Sequence, residues 1–297
     1  MSIQTPEPAP SRTVDSAKGA PAPIATGRTR LLGIIGHPIA QVRAPEVWSA
    51  LLRANGFDCV CVPFHVEPAG LDDFLAGART LRNLAGLIVT IPHKPAAIAH
   101  VQHPTDRARL TGAVNVLRQE PDGTWAGDAL DGVGFVAALR ASDRDVAGRD
   151  VLVVGSGGVG TSIAVAIAEA GARRVDVADV AADRAADLAG RIQSTGVASA
   201  VVEPRAAGYD VVVNASPVGM KPDDPLPIDL AGLAPDTVVA DVVVHPRMTR
   251  LLTAAAERGC FTQSGFRMMD AQLAQMAEFF GFEGGDFSPE AALRSAS

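Results

Sequence analysis

Asp150-Val151-Leu152-Val153-Val154-Gly155-Ser156-Gly157-Gly158-Val159-Gly160 is the stretch on which the fold turns. The short apolar run before Gly155 reads as a buried strand. The glycines fit G-x-G-x-x-G. An Ala-rich segment, 161–170, follows with Ile163, Ala164 and Ile167 inward, and Gly171 stops it, which predicts a helix. A glycine turn between a strand and a helix is the context of a dinucleotide site. The first glycine makes the tight turn and the second lets a pyrophosphate approach the backbone. The third lets helix and strand pack closely, and the helix then presents free N–H groups to the phosphates. Gly155, Ser156, Gly157, Gly158, Val159 and Gly160 are therefore candidate cofactor residues.

Downstream, Val175-Asp176-Val177-Ala178 reads as the next strand, with Asp179 at its end, 19 residues after Gly160. A carboxylate there accepts bonds from ribose hydroxyls and repels a 2′-phosphate, so NAD is expected over NADP. Arg184 could weaken that repulsion, but is expected a turn into the next helix, 181–193. Ala200-Val201-Val202, 210–213 and 238–244 read as further strands, and 249–258 and 267–281 as helices. Alternating strands and helices predict a doubly wound parallel sheet.

Upstream, Leu31 to Gly36 reads as a strand. A helix follows from Pro45, with Val47, Trp48, Leu51 and Leu52 on one face and Asn55-Gly56 as its stop. Residues 58–66 alternate as a strand. Residues 68–82 read as a helix with Leu71, Phe74, Leu75 and Ala78 inward. Gly86 to Ile91 is a buried strand that Pro92 ends. This β-α-β-α-β series implies a mainly parallel sheet in a first, mixed α/β domain. The expected fold class is thus α/β, an N-terminal mixed α/β substrate domain followed by a Rossmann domain. The expected division is a disordered, proline-rich tail at 1–28, a substrate domain at 29–128 and a dinucleotide domain at 129–262. C-terminal helices at about 263–290 would pack back on the first domain.

The 297 residues carry 26 Lys+Arg against 33 Asp+Glu, a formal charge of -7. That acidic balance argues against a nucleic-acid binder, whose footprint is basic. No apolar run approaches the ~18 residues that a membrane helix needs, and the tail lacks the pattern of a signal peptide. The three cysteines, Cys59, Cys61 and Cys260, are too few for a disulfide framework. Buried free thiols in a reducing, cytoplasmic setting are expected, with Cys59 and Cys61 pointing to opposite faces of their strand. No His, Cys or Asp cluster has metal-ligand spacing, so no metal is expected. The expected partner is a small molecule, and a homodimer is left open.

Three more segments carry chemistry. Thr90-Ile91-Pro92-His93-Lys94 puts a lysine just past a buried strand, and strand ends are where ligands bind in open α/β sheets. Asn115 stands in Thr111-Gly112-Ala113-Val114-Asn115, and Asp131 in Gly127-Asp128-Ala129-Leu130-Asp131-Gly132.

With these segments in view, the sequence resembles the shikimate/quinate dehydrogenase family over residues 31 to 285. The family's Val-Thr-x-Pro-x-Lys stands as Val89 to Lys94, its Gly-Ala-x-Asn as Gly112 to Asn115, and its Gly-Asp-x-x-Asp-Gly as Gly127 to Gly132. Asn214 to Met220 resembles its nicotinamide-side loop, and Gly265 to Gln272 its closing Gly-x-x-Met-x-x-x-Gln. The resemblance implies an NAD(P)-dependent dehydrogenase of aromatic amino acid biosynthesis or quinate/shikimate metabolism. It implies Lys94 and Asp131 as the catalytic pair and Thr90, Asn115 and Gln272 as groups that hold ring hydroxyls. Asn214, Ser216, Val242 and Gly265 would join the cofactor site. Such chemistry needs a group that takes the hydroxyl proton as hydride leaves, and a lysine beside a carboxylate can relay it.

The match breaks at the family's first motif, where two serines hold the substrate carboxylate. Val42 and Ala44 stand at those positions, Ile88 replaces an asparagine and Val244 a tyrosine. A pocket that lacks its polar partners rejects the polar substrate, so altered substrate preference is expected. Arg43 or Arg267 is either a substitute carboxylate anchor or a surface charge. His93 is either a proton shuttle or a packing residue, and His37 and His245 are either substrate contacts or loop residues. Two other readings are a methylene-folate-type dehydrogenase, against which the Asn115 and Asp131 motifs argue, and a non-catalytic NAD-dependent sensor, against which retention of Lys94 and Asp131 argues.

Overall fold

The structure, a computed structural model, describes residues 25–288 together with 290 and 291. Residues 1–24 of the expected tail lie outside the described residues. Residues 26–29 form a turn in which Thr26 N donates to Thr29 Oγ1 at 2.8 Å.

The first sheet has six strands, β1 (Arg30–Gly36), β2 (Cys59–His65), β3 (Leu84–Val89), β4 (His103–Pro104), β5 (Val116–Gln119) and β6 (Trp125–Asp128), in the order β2-β1-β3-β5-β6-β4. β1 pairs in parallel with β2 and β3, as the alternating series predicts. β5 runs antiparallel to β3 and β6. β6 and β4 then run with β1, β2 and β3, so β5 alone is reversed and the sheet is mixed but mainly parallel, as expected. The antiparallel pair had a signal: Asp122-Gly123, a hairpin dipeptide, lies between the two short runs.

Helices α1 (Ala44–Ala54), α2 (Leu71–Ala78), α3 (Lys94–Ala97) and α4 (Asp106–Thr111) belong to this half. The expected helix over 68–82 begins as a 3-10 turn, Pro68–Gly70, and is α-helical only from Leu71. Trp48, Leu51 and Leu52 of α1 are buried against the sheet. Cys59 and Cys61 point to the same face, and both join this apolar cluster. This corrects the expectation of opposite faces, because residues i and i+2 of a strand share a face. All three cysteines are free and buried. Burial pushes the Cys59 thiol up to about 11, and burial followed by the Cys59 charge pushes Cys61 up to about 12.

The second half holds α5 (Asp131–Arg140), α6 (Gly158–Glu169), α7 (Ala182–Gln193), α8 (Arg250–Ala256), α9 (Gly265–Ala271) and α10 (Leu273–Phe279). Its five strands are β7 (Asp150–Val154), β8 (Arg174–Ala178), β9 (Val211–Asn214), β10 (Val238–Asp241) and β11 (Phe261–Ser264). They are all parallel, in the order β11-β10-β9-β7-β8. Residues 200–202 make only an isolated bridge to β8, between Val201 and Val177. Val201 is half exposed, so that segment has no buried face to fix a full strand. Sequence order reverses between β7 and its neighbours β8 and β9, and such a switch point opens a crevice at the strand ends.

The C-terminal helices pack on the first sheet. Leu273, Met276 and Phe280 join the cluster around Trp48, and the Phe280 ring meets Trp48 edge-on at 6.0 Å. No helix among the described residues is long and apolar enough to cross a membrane.

Candidate active site

The glycine turn sits at the switch point. Gly155 has φ +106°, a left-handed conformation that suits glycine, and a Cβ there would meet the backbone of Ala215 at 2.8 Å. A Cβ on Gly160 would stand 1.9 Å from Gly155 O, so the third glycine is a packing requirement. A Cβ on Gly157 would meet nothing within 4 Å, which leaves an open cradle at the N-terminus of α6. The open backbone and the free N–H groups of α6 fit a pyrophosphate.

Asp179 follows β8 and is tied to the glycine turn. Its Oδ2 accepts from Ser156 N and Ser156 Oγ, both at 2.7 Å, and its Oδ1 accepts from Ala181 N at 2.8 Å. Burial would raise the carboxyl, but these bonds and the nearby Arg184 charge outweigh it and hold Asp179 down at about 2. Arg184 lies in the first turn of α7 and bonds Asp179 Oδ1 at 3.2 Å, closer than a position a turn into the helix implies. Val180, beside Asp179, is fully exposed.

Asn214 and Ser216 are tied into the loop that follows β9. The buried Asn214 amide donates to Val218 O and to Asp241 Oδ1, while its oxygen accepts from Ser216 N and Oγ. These bonds shape the 214–220 loop at the end of β9. Asp241, which the motifs did not flag, anchors the arrangement by accepting from Thr249 Oγ1 at 2.7 Å. Val242 and Gly265 touch through their backbones: a Cβ on Gly265 would lie 2.2 Å from Val242 O.

Lys94 and Asp131 are brought together. Lys94 Nζ donates to Asp131 Oδ2 at 2.7 Å, and both side chains are largely buried. Each is held by backbone bonds. Val114 N donates to Lys94 O, Val89 N to Asn115 O, and Asn115 N to Asp128 O. Asn115 Oδ1 accepts from Leu130 N at 2.7 Å and so fixes the start of α5, on which Asp131 stands. Asn115 Nδ2 faces Gln272 Oε1 at 3.4 Å. Gly132 N donates to Ser162 Oγ on α6. The ion pair therefore lies beside the helix whose N-terminus forms the phosphate cradle.

Thr90 is half-buried at the end of β3, and its backbone N donates to Ile35 O. His93 is buried with Nε2 2.7 Å from Val66 O, which is the packing role. His37 Nδ1 pairs with His65 Nε2 at 2.9 Å. His245 is exposed in the loop after β10. Arg267 donates to Ser142 Oγ at the end of α5 and is a surface residue. Val42 and Ala44 are half-buried and pack against the Trp48 cluster. Asp128, the other acid of its motif, is structural: it accepts from Thr105 Oγ1 at 2.6 Å and is paired with Arg107.

A parallel sheet with a phosphate cradle at its switch point, next to a mixed sheet carrying a buried lysine–carboxylate pair, defines a nicotinamide-dependent oxidoreductase. Residues 34–117 match the shikimate dehydrogenase substrate binding domain. The chain is 37% identical to the shikimate dehydrogenase (NADP(+)) of Rubrobacter xylanophilus over 251 residues, covering 82% of this chain and 87% of that one. Its fold matches quinate dehydrogenase from Corynebacterium glutamicum in complex with NAD, with TM-score 0.80 at 31% identity over 90% of this chain and 99% of the other. It also matches ligand-free 5-ketofructose reductase of Gluconobacter sp. strain CHM43, with TM-score 0.83 at 29% identity over 91% of this chain and 99% of that one. The chain belongs to the shikimate/quinate dehydrogenase family. It is an NAD(P)-dependent dehydrogenase acting on a CH–OH group, which sets aside the sensor and methylene-folate readings.

Proposed function

We propose that this enzyme interconverts a secondary alcohol on a ring hydroxy acid or related ring alcohol with its ketone, with NAD preferred to NADP. The observation that carries the reading is the Lys94–Asp131 pair, 2.7 Å apart at the end of β3. Oxidation breaks the carbinol C–H bond and the O–H bond and forms a C=O bond. The nicotinamide ring supplies the hydride acceptor when bound. Lys94 takes the hydroxyl proton, and Asp131 holds the ammonium in place and relays the proton onward. Reduction reverses each movement. Thr90, Asn115 and Gln272 hold the other ring hydroxyls beside the pair.

The proposed division of labour is a substrate domain at 29–128, completed by helices at 263–290, and a dinucleotide domain at 129–262. NAD preference rests on Asp179, whose charge opposes a 2′-phosphate. Arg184, the nearest cation, is already engaged by Asp179, and Val180 has no charge to offer. Three free cysteines fit a cytoplasmic setting.

The relatives widen the substrate question, since one is named for shikimate and another for 5-ketofructose. Val42 and Ala44 support a substrate other than shikimate held in the family's usual way. The test is a turnover screen of ring hydroxy acids, ring alcohols and the matching ketones, with each nicotinamide cofactor in parallel. Turnover of ring substrates with NAD supports the reading. Turnover confined to open-chain alcohols would contradict it.

A further inference from the structure

Two guanidinium groups meet on one ring. Arg43 lies 4.9 Å from the Phe266 ring centroid and Arg247 lies 4.3 Å from it. Arg43 caps the N-terminus of α1, at the end of the loop that leaves β1. That loop is tied to the end of β3, because His37 N donates to Ile91 O at 3.0 Å, three residues before Lys94. Arg247 stands in the loop that leaves β10. Phe266 stands at the start of α9, the helix whose first residue touches Val242 and whose C-cap, Gln272, reaches Asn115. The cluster therefore joins the C-terminal strand edges of both sheets, the side on which open α/β sheets bind ligands.

The ring orders the two cations, and their donors are uncommitted. Neither guanidinium makes a hydrogen bond or an ion pair among the described residues. Asp270 is the acid nearest to them, one turn along α9 from Phe266. Burial raises its carboxyl, and the charges of Arg43 and Arg247 offset this only in part. Two cations and one acid leave a single positive charge, which matches a monoanion.

The geometry points to Arg43 and Arg247 as specificity-determining residues that grip the carboxylate of a ring substrate from opposite walls of the cleft, with Phe266 holding both guanidiniums in place. The inference rests on the ring-alcohol reading above and names the substrate class within it. A forked guanidinium suits a carboxylate's two oxygens. Arg43 is also flanked by Val42 and Ala44, which offer no hydroxyl to compete for the anion.

The test compares quinate and shikimate with their methyl esters, in steady-state kinetics and in calorimetric titration of the NAD-bound protein. The acids should bind at least tenfold more tightly than the esters. Arg43→Gln and Arg247→Gln should each raise KM for the acids by roughly 10–100-fold, the range expected for one charged hydrogen bond. Both should leave kcat within a few-fold, erase the acid–ester gap and leave NAD affinity unchanged, and Arg43→Lys should recover part of the loss. Equal use of acid and ester by the wild type would overturn the inference, as would unchanged acid preference in both variants or no binding of either acid at millimolar concentration. Arginine-dependent acid binding without any turnover would instead sink the ring-alcohol reading and sustain this one.

Discussion

Lys94 Nζ stands 2.7 Å from Asp131 Oδ2, although 37 residues separate them in the chain. Lys94 opens the short helix α3, five residues past β3, and Asp131 opens α5, which packs on α6 of the dinucleotide half. Residues that act as one unit give non-additive losses. Asp131→Asn should lower kcat, and the Lys94→Ala/Asp131→Asn double variant should be no slower than the worse single variant. Steady-state rates of the three proteins check this. Additive losses would show two independent roles.

Cofactor choice should follow Asp179. Its carboxylate is held ionised by Ser156 and Ala181 beside the glycine turn. Wild-type kcat/KM with NAD should exceed that with NADP, and Asp179→Ala should narrow the gap. The ratio measured with one substrate decides the point, and an equal or better value with NADP contradicts it.

Acid should strip a defined contribution from the dinucleotide half. The folded pKa of Asp179, about 2, lies below the ordinary aspartate value of 3.8. The stability it confers is therefore complete above pH ~4 and is lost as the pH falls towards 2. Asp179→Asn should lower Tm at pH 7 and flatten the fall in Tm between about pH 4 and 2. Parallel melting curves test this, and an unchanged acid slope would remove Asp179 from the account.

Shikimate held in the family's usual pose should bind poorly, so its use should depend on Arg43 and Arg247. Two hydroxyls donating to a carboxylate would each contribute about 1.5–3 kcal/mol, and Val42 and Ala44 offer none. Val42→Ser with Ala44→Ser should improve shikimate kcat/KM. A micromolar KM for shikimate that persists in Arg43→Gln and Arg247→Gln would refute the expectation.

The dinucleotide half was the more legible in sequence, because glycine spacing, a buried apolar run and a strand-end acid each have one mechanical explanation. Lys94, Asn115 and Asp131 were legible as motifs, but their convergence depends on the antiparallel β3–β5–β6 arrangement. Those strands are four residues long at β5 and β6, too short to show a period. Asn214 was legible through its loop motif, whereas nothing in the sequence marked its partner Asp241. The Arg43–Phe266–Arg247 cluster joins three segments distant in sequence, so no local pattern marks it. Arg267, one residue from Phe266, projects to the other side of its helix and bonds Ser142.

The most direct test of the account is NADH formation by the wild type and by Lys94→Ala, side by side, across ring hydroxy acids and ring alcohols. The wild type should reduce NAD with at least one ring substrate, and Lys94→Ala should lose roughly 10²–10⁴-fold in kcat with NAD affinity intact. Wild-type turnover that survives the loss of Lys94, or no turnover of any ring substrate with either cofactor, would contradict it.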